Sequence, residues 1–184
     1  RIAHPETGET LPRGETGEFC TRGYSVMSGY WEDPAKTSEA IDEAGWMHTG
    51  DLAVMGADGY VNIVGRIKDM VIRGGENIYP REIEEFLYTH PEIEDVQVIG
   101  VPDAVYGEQL MAWIKRKQDV PTPGLTSQAD LKLFCDGKIA HYKVPHYVKF
   151  VDDFPMTVTG KVRKVEMREL SIKALGLEAG EGDR

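Results

Sequence analysis

The sequence predicts an α+β fold: a β-rich first portion, followed by a small sheet with helices packed against it. Three observations predict it. Up to residue 66, short apolar runs alternate between clusters of Gly, Pro and Thr, the pattern of strands and turns. Beyond it, period-two runs are interleaved with segments whose apolar residues recur at i, i+3 and i+4. A composition of 41% hydrophobic and 28% charged residues over 184 positions is that of a chain able to bury a core, and the length suits one domain or two small ones, since single domains cluster near roughly 100–150 residues.

The elements follow in order. Gly, Pro and Thr between residues 7 and 17 punctuate like turns between strands. Asp33-Pro34 pairs an N-cap with proline at the first helical position and predicts a short helix running to Ile41. Residues 52–64 read as a hairpin, with Leu52 and Val54 alternating before the turn signal Asp58-Gly59. A boundary is expected after Gly65-Arg66, with residues 1–66 as one portion, 67–69 as a linker, 70–177 as the second portion and 178–184 as a loose tail. In the second portion, residues 70–73 predict a strand, and Pro80 opens a helix burying Ile83, Phe86 and Leu87, which His90-Pro91 stops. Val96, Val98 and Ile99 mark another strand, and Leu110, Ala112 and Ile114, alternating with Met111 and Trp113, a third. Ser127 and Asp130 form a capping pair before a helix burying Leu131 and Phe134. Residues 147–151 predict a last strand, and 161–175 a helix with Met167, Leu170 and Ala174 on its buried face.

Composition excludes several classes. No apolar run approaches the ~20 residues of a transmembrane helix, and the start, Arg1-Ile2-Ala3-His4, lacks the form of a signal peptide and reads as a piece of something longer. A formal net charge of -10 disfavours nucleic acid as a partner. Cys20 and Cys135 lie far apart without metal or redox spacing, so reduced thiols in a cytoplasmic setting are expected, with no bound metal and with peripheral membrane association left open.

Three segments carry candidate chemistry: Gly45-Trp46-Met47-His48-Thr49-Gly50-Asp51, the run from Gly65-Arg66-Ile67-Lys68-Asp69 through Arg73-Gly74-Gly75-Glu76-Asn77-Ile78-Tyr79-Pro80, and Pro155-Met156-Thr157-Val158-Thr159-Gly160-Lys161. Read alone, each is open. Asp51 is a local cap or a carboxylate that takes both hydroxyls of a ribose; Arg66 is a surface ion-pair partner or a charged donor beside a nucleotide. Gly74-Gly75 is a turn needing positive φ or a gap through which something slender passes the backbone. Lys161 follows Thr159-Gly160, but Val162 stands where a phosphate-binding loop needs Ser or Thr, so this is not a P-loop.

Together and in this order, the three segments resemble the C-terminal signature motifs of the adenylate-forming superfamily, and the run from Gly65 to Pro80 with Arg81-Glu82-Ile83-Glu84 is most similar to medium- and long-chain fatty acyl-CoA ligases. The resemblance covers residues 14–170. It implies the β-rich end of a large N-terminal domain over residues 1–66 and a mobile C-terminal lid, with Lys68 at the hinge. It further implies Asp51 on the ribose of ATP or AMP with Arg66 nearby, Lys161 as the catalytic lysine at the reacting carboxylate and α-phosphate, Gly74 and Gly75 lining the pantetheine passage of CoA, and Tyr142 stacking on the CoA nucleotide. The implied reaction joins a fatty acid or other small carboxylic acid to CoA through an acyl-adenylate, with ATP and Mg²⁺. The phosphate loop, magnesium ligands and acyl pocket are expected upstream, so the piece alone is expected to be inactive. An adenylation domain loading a carrier protein, and a non-catalytic interaction module derived from the lid, remain alternatives.

Overall fold

The strand and helix patterns take shape, in a computed structural model described for residues 1–119 and 124–177, as two units that divide between Lys68 and Asp69. The tail expected over 178–184 lies outside the described residues.

The first unit, Arg1–Lys68, is an antiparallel sheet in the order β1 (Ile2–Ala3), β2 (Thr16–Thr21), β3 (Met47–Met55), β4 (Val61–Arg66). Helix α1 (Pro34–Ala40) stands between β2 and β3 in the chain; Asp33 caps it by accepting from the Lys36 amide at 2.9 Å, and Ile41 ends it, as Asp33-Pro34 predicts. The turn between β3 and β4 closes where Asp58-Gly59 requires, with the Gly59 amide donating to the Gly56 carbonyl at 3.0 Å. The simple alternation of Leu52 and Val54 does not hold. A register shift between Leu52 and Ala53 turns Ala53 into the core beside Leu52, Ile2, Ala3 and Cys20 and leaves Val54 half-buried.

In the second unit, β8 (Gly107–Arg116) is the central strand. On one side it pairs antiparallel with β7 (Ile93–Asp103); on the other it pairs in parallel with β9 (Tyr147–Val151) and, at Arg73 opposite Gly107, with β5 (Val71–Arg73), which is followed by β6 (Glu76–Ile78). Strand β5 starts at Val71 rather than residue 70, and β6 is a strand the sequence reading leaves in the loop before Pro80. Both faces of β8 are covered, which is why its apolar residues run without interruption. Leu110, Ala112 and Ile114 pack with Ile83 and Leu87 of α2 (Pro80–Leu87) and with Leu131 and Cys135 of α3 (Gln128–Cys135); Met111 and Trp113 face the other way, onto Met167 of α4 (Lys164–Leu175) and Phe154. Phe86 and Phe134 flank the first cluster, half-buried, with ring centroids 5.3 Å apart. The Ser127–Asp130 capping box forms in full.

Helix α4 departs from expectation twice. Lys161 is not helical: a bridge between Met156 and Val162 holds the chain as a tight turn, and the helix begins only at Lys164. Its buried face is Met167 and Ser171, whereas Leu170 is 43% exposed and Ala174 lies in solvent. The cause is polar. β7 is the edge of the sheet, and α4 covers that edge with side chains: the Lys164 ammonium donates to the Val98 carbonyl at 3.2 Å and to Glu84 at 2.7 Å, and Arg168 donates to the Gly100 carbonyl at 2.9 Å and to Glu108 at 2.7 Å. Trp113 Nε1 donates to Ser171 Oγ at 3.0 Å, so a hydroxyl, not a methyl, is wanted at the centre of the contact. No helix among the described residues is long and apolar enough to cross a membrane.

Candidate active site

Asp51 sits where the β2–β3 ladder breaks. Glu18 pairs with Leu52 and Cys20 with His48, so Thr49, Gly50 and Asp51 stand opposite Phe19 alone and bulge out of the sheet. Side chains satisfy the freed backbone groups: Thr49 Oγ1 donates to the Phe19 carbonyl at 2.6 Å and accepts from the Asp51 amide at 3.1 Å, while the Gly50 amide donates to Glu18 Oε1 at 3.0 Å. On the β4 side, Arg66 lies directly across from Asp51, and its Nε donates to Asp51 Oδ1 at 2.8 Å. Arg66 is two-thirds exposed, so the pair contributes at most about 1 kcal/mol; its effect is to orient a carboxylate whose Oδ2 has no hydrogen-bond partner among the described residues.

Beneath this bulge lie Glu18, Cys20 and His48, with ligating atoms within 4.8 Å of one another. They hydrogen-bond rather than gather round an ion. His48 Nδ1 donates to Glu18 Oε2 at 2.7 Å, closer than the roughly 3.3 Å between two ligands of one tetrahedral zinc. Burial, and then the charge of Glu18, push the Cys20 thiol up. On the far side of the ring, His48 Nε2 is 3.6 Å from Asp42, whose carboxyl is held below its usual range chiefly by the Trp46 amide.

In the second unit, Gly74 and Gly75 form the two-residue turn between β5 and β6, with Arg73 paired to Glu76 and φ of +59° and +87°. Such a turn requires positive φ at both central residues. The Gly74 amide donates to the Tyr106 carbonyl at 2.9 Å, and a Cβ at Gly74 would lie 3.3 Å from the Tyr106 ring. The Arg73 guanidinium lies 4.2 Å from the centroid of that ring. Arg73 also lines a cavity of about 500 Å³ whose other wall includes Lys132, His141, Val144 and His146. Tyr142 follows His141 on a 3₁₀ turn, His141–Lys143; its ring is exposed, and Lys143 is tied to Glu82 at 2.6 Å. Arg73, which precedes the glycine turn in the chain, and His141, which precedes Tyr142, thus line one cavity together with Asp136.

Lys161 sits on the exposed turn 157–161. The Thr157 amide donates to the Lys161 carbonyl at 2.8 Å, the Lys161 amide to Thr157 Oγ1 at 3.0 Å, and Gly160 takes φ +80°. The backbone is pinned, and the ammonium has no ion-pair partner among the described residues. Lys68 is exposed on the 3₁₀ turn Ile67–Asp69, at the division between the units.

Residues 82–161 match the AMP-binding enzyme C-terminal domain. These residues carry the C-terminal domain of AMP-binding enzymes, and the chain as a whole is similar to acyl-CoA synthetases. It is similar to the mitochondrial medium-chain acyl-CoA ligase ACSF2 of Bos taurus, at 48% identity over 177 residues, which are 96% of this chain and 28% of that protein. The same ligase from Danio rerio is 49% identical over an equal share of both chains. Among solved structures, ATP-bound MatB from Rhodopseudomonas palustris superposes with a TM-score of 0.85 at 40% identity, covering 95% of this chain and 34% of that one. The chain thus spans about a third of the length of the proteins it matches.

The structure adds residues that the motifs do not mark. Tyr106 reaches the glycine turn from the β7–β8 hairpin, a meeting that no local pattern announces. Glu18 had a signal: it and Cys20 occupy alternate positions of a short strand whose buried side they share, so a carboxylate stands where an apolar residue is usual.

Proposed function

We propose that this chain is the C-terminal part of an ATP-dependent fatty acid:CoA ligase, in which the carboxylate attacks the α-phosphorus of ATP, releasing pyrophosphate, and the CoA thiol then displaces AMP from the acyl-adenylate. The reading is supported by two separate observations on the motif segments: Asp51 is held by Arg66 with Oδ2 open, and Lys161, with no ion-pair partner among the described residues, is exposed on a backbone-locked turn. A carboxylate with an open oxygen is suited to accept from the ribose diol of the nucleotide. A cation delivered to the junction of two anions stabilises the transition state more than the separated reactants. In this reading the second unit moves about Lys68 between the half-reactions, and pantetheine passes the Gly74–Gly75 turn, where neither central residue has a side chain of its own to narrow the way. The cavity lined by Arg73, Lys132, His141 and His146, in which Arg73 and Lys132 are cations set against a single acid, Asp136, supports a nucleotide at the far end of the same thiol carrier.

Mg²⁺ accompanies ATP in this chemistry and demands octahedral oxygen ligation. The cluster of potential ligands formed by the described residues of this chain, Glu18, Cys20 and His48, offers one carboxylate with a nitrogen and a sulfur and is hydrogen-bonded internally. It does not fit Mg²⁺, and no step is assigned through it.

The test is a panel of medium- and long-chain fatty acids on the full-length protein that contains this chain, with pyrophosphate release and thioester formation measured separately. ATP- and acid-dependent pyrophosphate release followed by acyl-CoA formation is expected. No release with any fatty acid overturns the substrate class, and transfer to a pantetheinylated carrier protein but not to CoA overturns the acceptor.

A further inference from the structure

We infer that Glu18 is a positioning residue for Asp51, acting through the Gly50 amide; the inference rests on the reading of Asp51 as the ribose ligand. The Thr49–Asp51 bulge has lost its ladder partners on the β2 side, and a bulge without substitutes for those bonds would sample several conformations. Glu18 supplies one substitute from below. Its side chain is more than nine-tenths buried, and its two oxygens are divided between the Gly50 amide, at 3.0 Å from Oε1, and His48 Nδ1, at 2.7 Å from Oε2, with the Cys20 thiol 3.8 Å away. Gly50 holds φ +70°, so Glu18 grips the Thr49–Gly50 peptide, the plane from which the left-handed turn at Gly50 carries the chain to Asp51.

His48 completes the support. Its ring lies between Glu18 and Asp42, at 2.7 and 3.6 Å, which fixes the orientation of the buried carboxylate. A carboxylate buried on the core side of a strand is costly unless its oxygens are bonded. Here the bonds go to the residue before Asp51 and to a residue three before it. The site thus has two layers: Arg66 orients the Asp51 carboxylate directly, and Glu18 orients its backbone.

A role through Asp51 differs from a general structural one in what it does to the nucleotide. The experiment measures ATP affinity by calorimetry, with folding followed by circular dichroism, on the full-length protein and its E18A, E18D, E18Q, D51A and E18A/D51A variants. Loss of a hydrogen bond to a charged group predicts about tenfold weaker ATP binding for E18A and for E18D, whose shorter reach leaves Gly50, while E18Q, which keeps an acceptor oxygen there, stays within about threefold. The double variant binds ATP no more weakly than D51A, because both changes disable the same contact. Unchanged ATP affinity in D51A overturns the ribose reading of Asp51. A loss in D51A with none in folded E18A or E18D overturns the positioning role, and so do additive losses in the double variant. If E18A does not fold, E18D alone decides, against the same D51A background.

Discussion

Asp51 and Lys161 are the two charged groups on which the proposed chemistry turns, and their surroundings are opposite. Asp51 is reached from three directions, by Arg66 on its carboxylate, Thr49 on its amide and Glu18 on the preceding peptide. Among the described residues Lys161 is fixed through its backbone alone, by Thr157 and the bridge from Met156 to Val162, and its side chain is exposed. A group that holds a substrate gains from being fixed before the substrate arrives. A group that must reach the reacting atoms in one step and leave them in the next gains from having no local partner to release. The contrast teaches that a fixed main chain with an unpaired head can serve as a delivery device, whereas the opposite arrangement serves as a receptor.

The most severe way to break this contrast is Lys161→Ala in the full-length protein. Pyrophosphate release should fall by about 10²–10³, while thermal stability barely moves, because an exposed substitution ordinarily costs within about 0.5 kcal/mol. Rapid adenylation by the variant, or a large fall in Tm, would erase the difference between the two sites. Asp51→Ala should weaken ATP binding by roughly ten- to a hundredfold, the worth of one or two charge-assisted hydrogen bonds, and calorimetry on the same protein reads it directly. Lys68→Pro sharpens the delivery half: thioester formation should fall about tenfold more than adenylation if rotation about this residue separates the steps, and equal losses would mean it does not.

Smaller effects test the supporting structure. Gly75→Ala places a Cβ at φ +87° with no neighbour within 4 Å, so its cost should be conformational, about 1–2 kcal/mol in urea unfolding. Asp130 is held at about 2, from an ordinary 3.8, first by the Thr126 amide and then by the Ser127 and Thr126 hydroxyls. A carboxyl depressed in the folded state stabilises above its unfolded pKa, and that contribution is lost as pH falls from about 4 through about 2. Asp130→Asn should therefore flatten the acid limb of the unfolding profile in that window and leave its neutral region lower but level.

Much of the fold was legible because its signals are local. Asp33-Pro34, Asp58-Gly59, Pro80 and Ser127 with Asp130 each determine a cap or a turn within four residues, and each stands where it was read. Strand β9 stands over Tyr147–Val151, the residues expected to form the last strand. The misreadings share one cause. The periodicity of α4 points to a buried face of Met167, Leu170 and Ala174, yet the helix presents Lys164, Arg168 and Ser171 to the sheet because the edge of β7 and the Trp113 indole need donors and an acceptor. Val54 lost its inward position to Ala53 through a register shift set by the partner strand. At the site, motif order picked out Asp51, Arg66, Lys161 and the glycine pair as residues worth attention, but neither Glu18 nor Tyr106.

The sequence by itself determined where the chain turns, where three of its helices begin, and which short segments carry its likeness to acyl-CoA synthetases, because backbone preferences and motif spacing act over a few residues. Only the tertiary structure decided which polar groups are buried and what they hold. Glu18 meets the Gly50 amide 32 positions away, and Lys164 meets Glu84 across 80. A buried hydrogen bond is specified by the position of its partner in space, and no periodicity along the chain encodes that position.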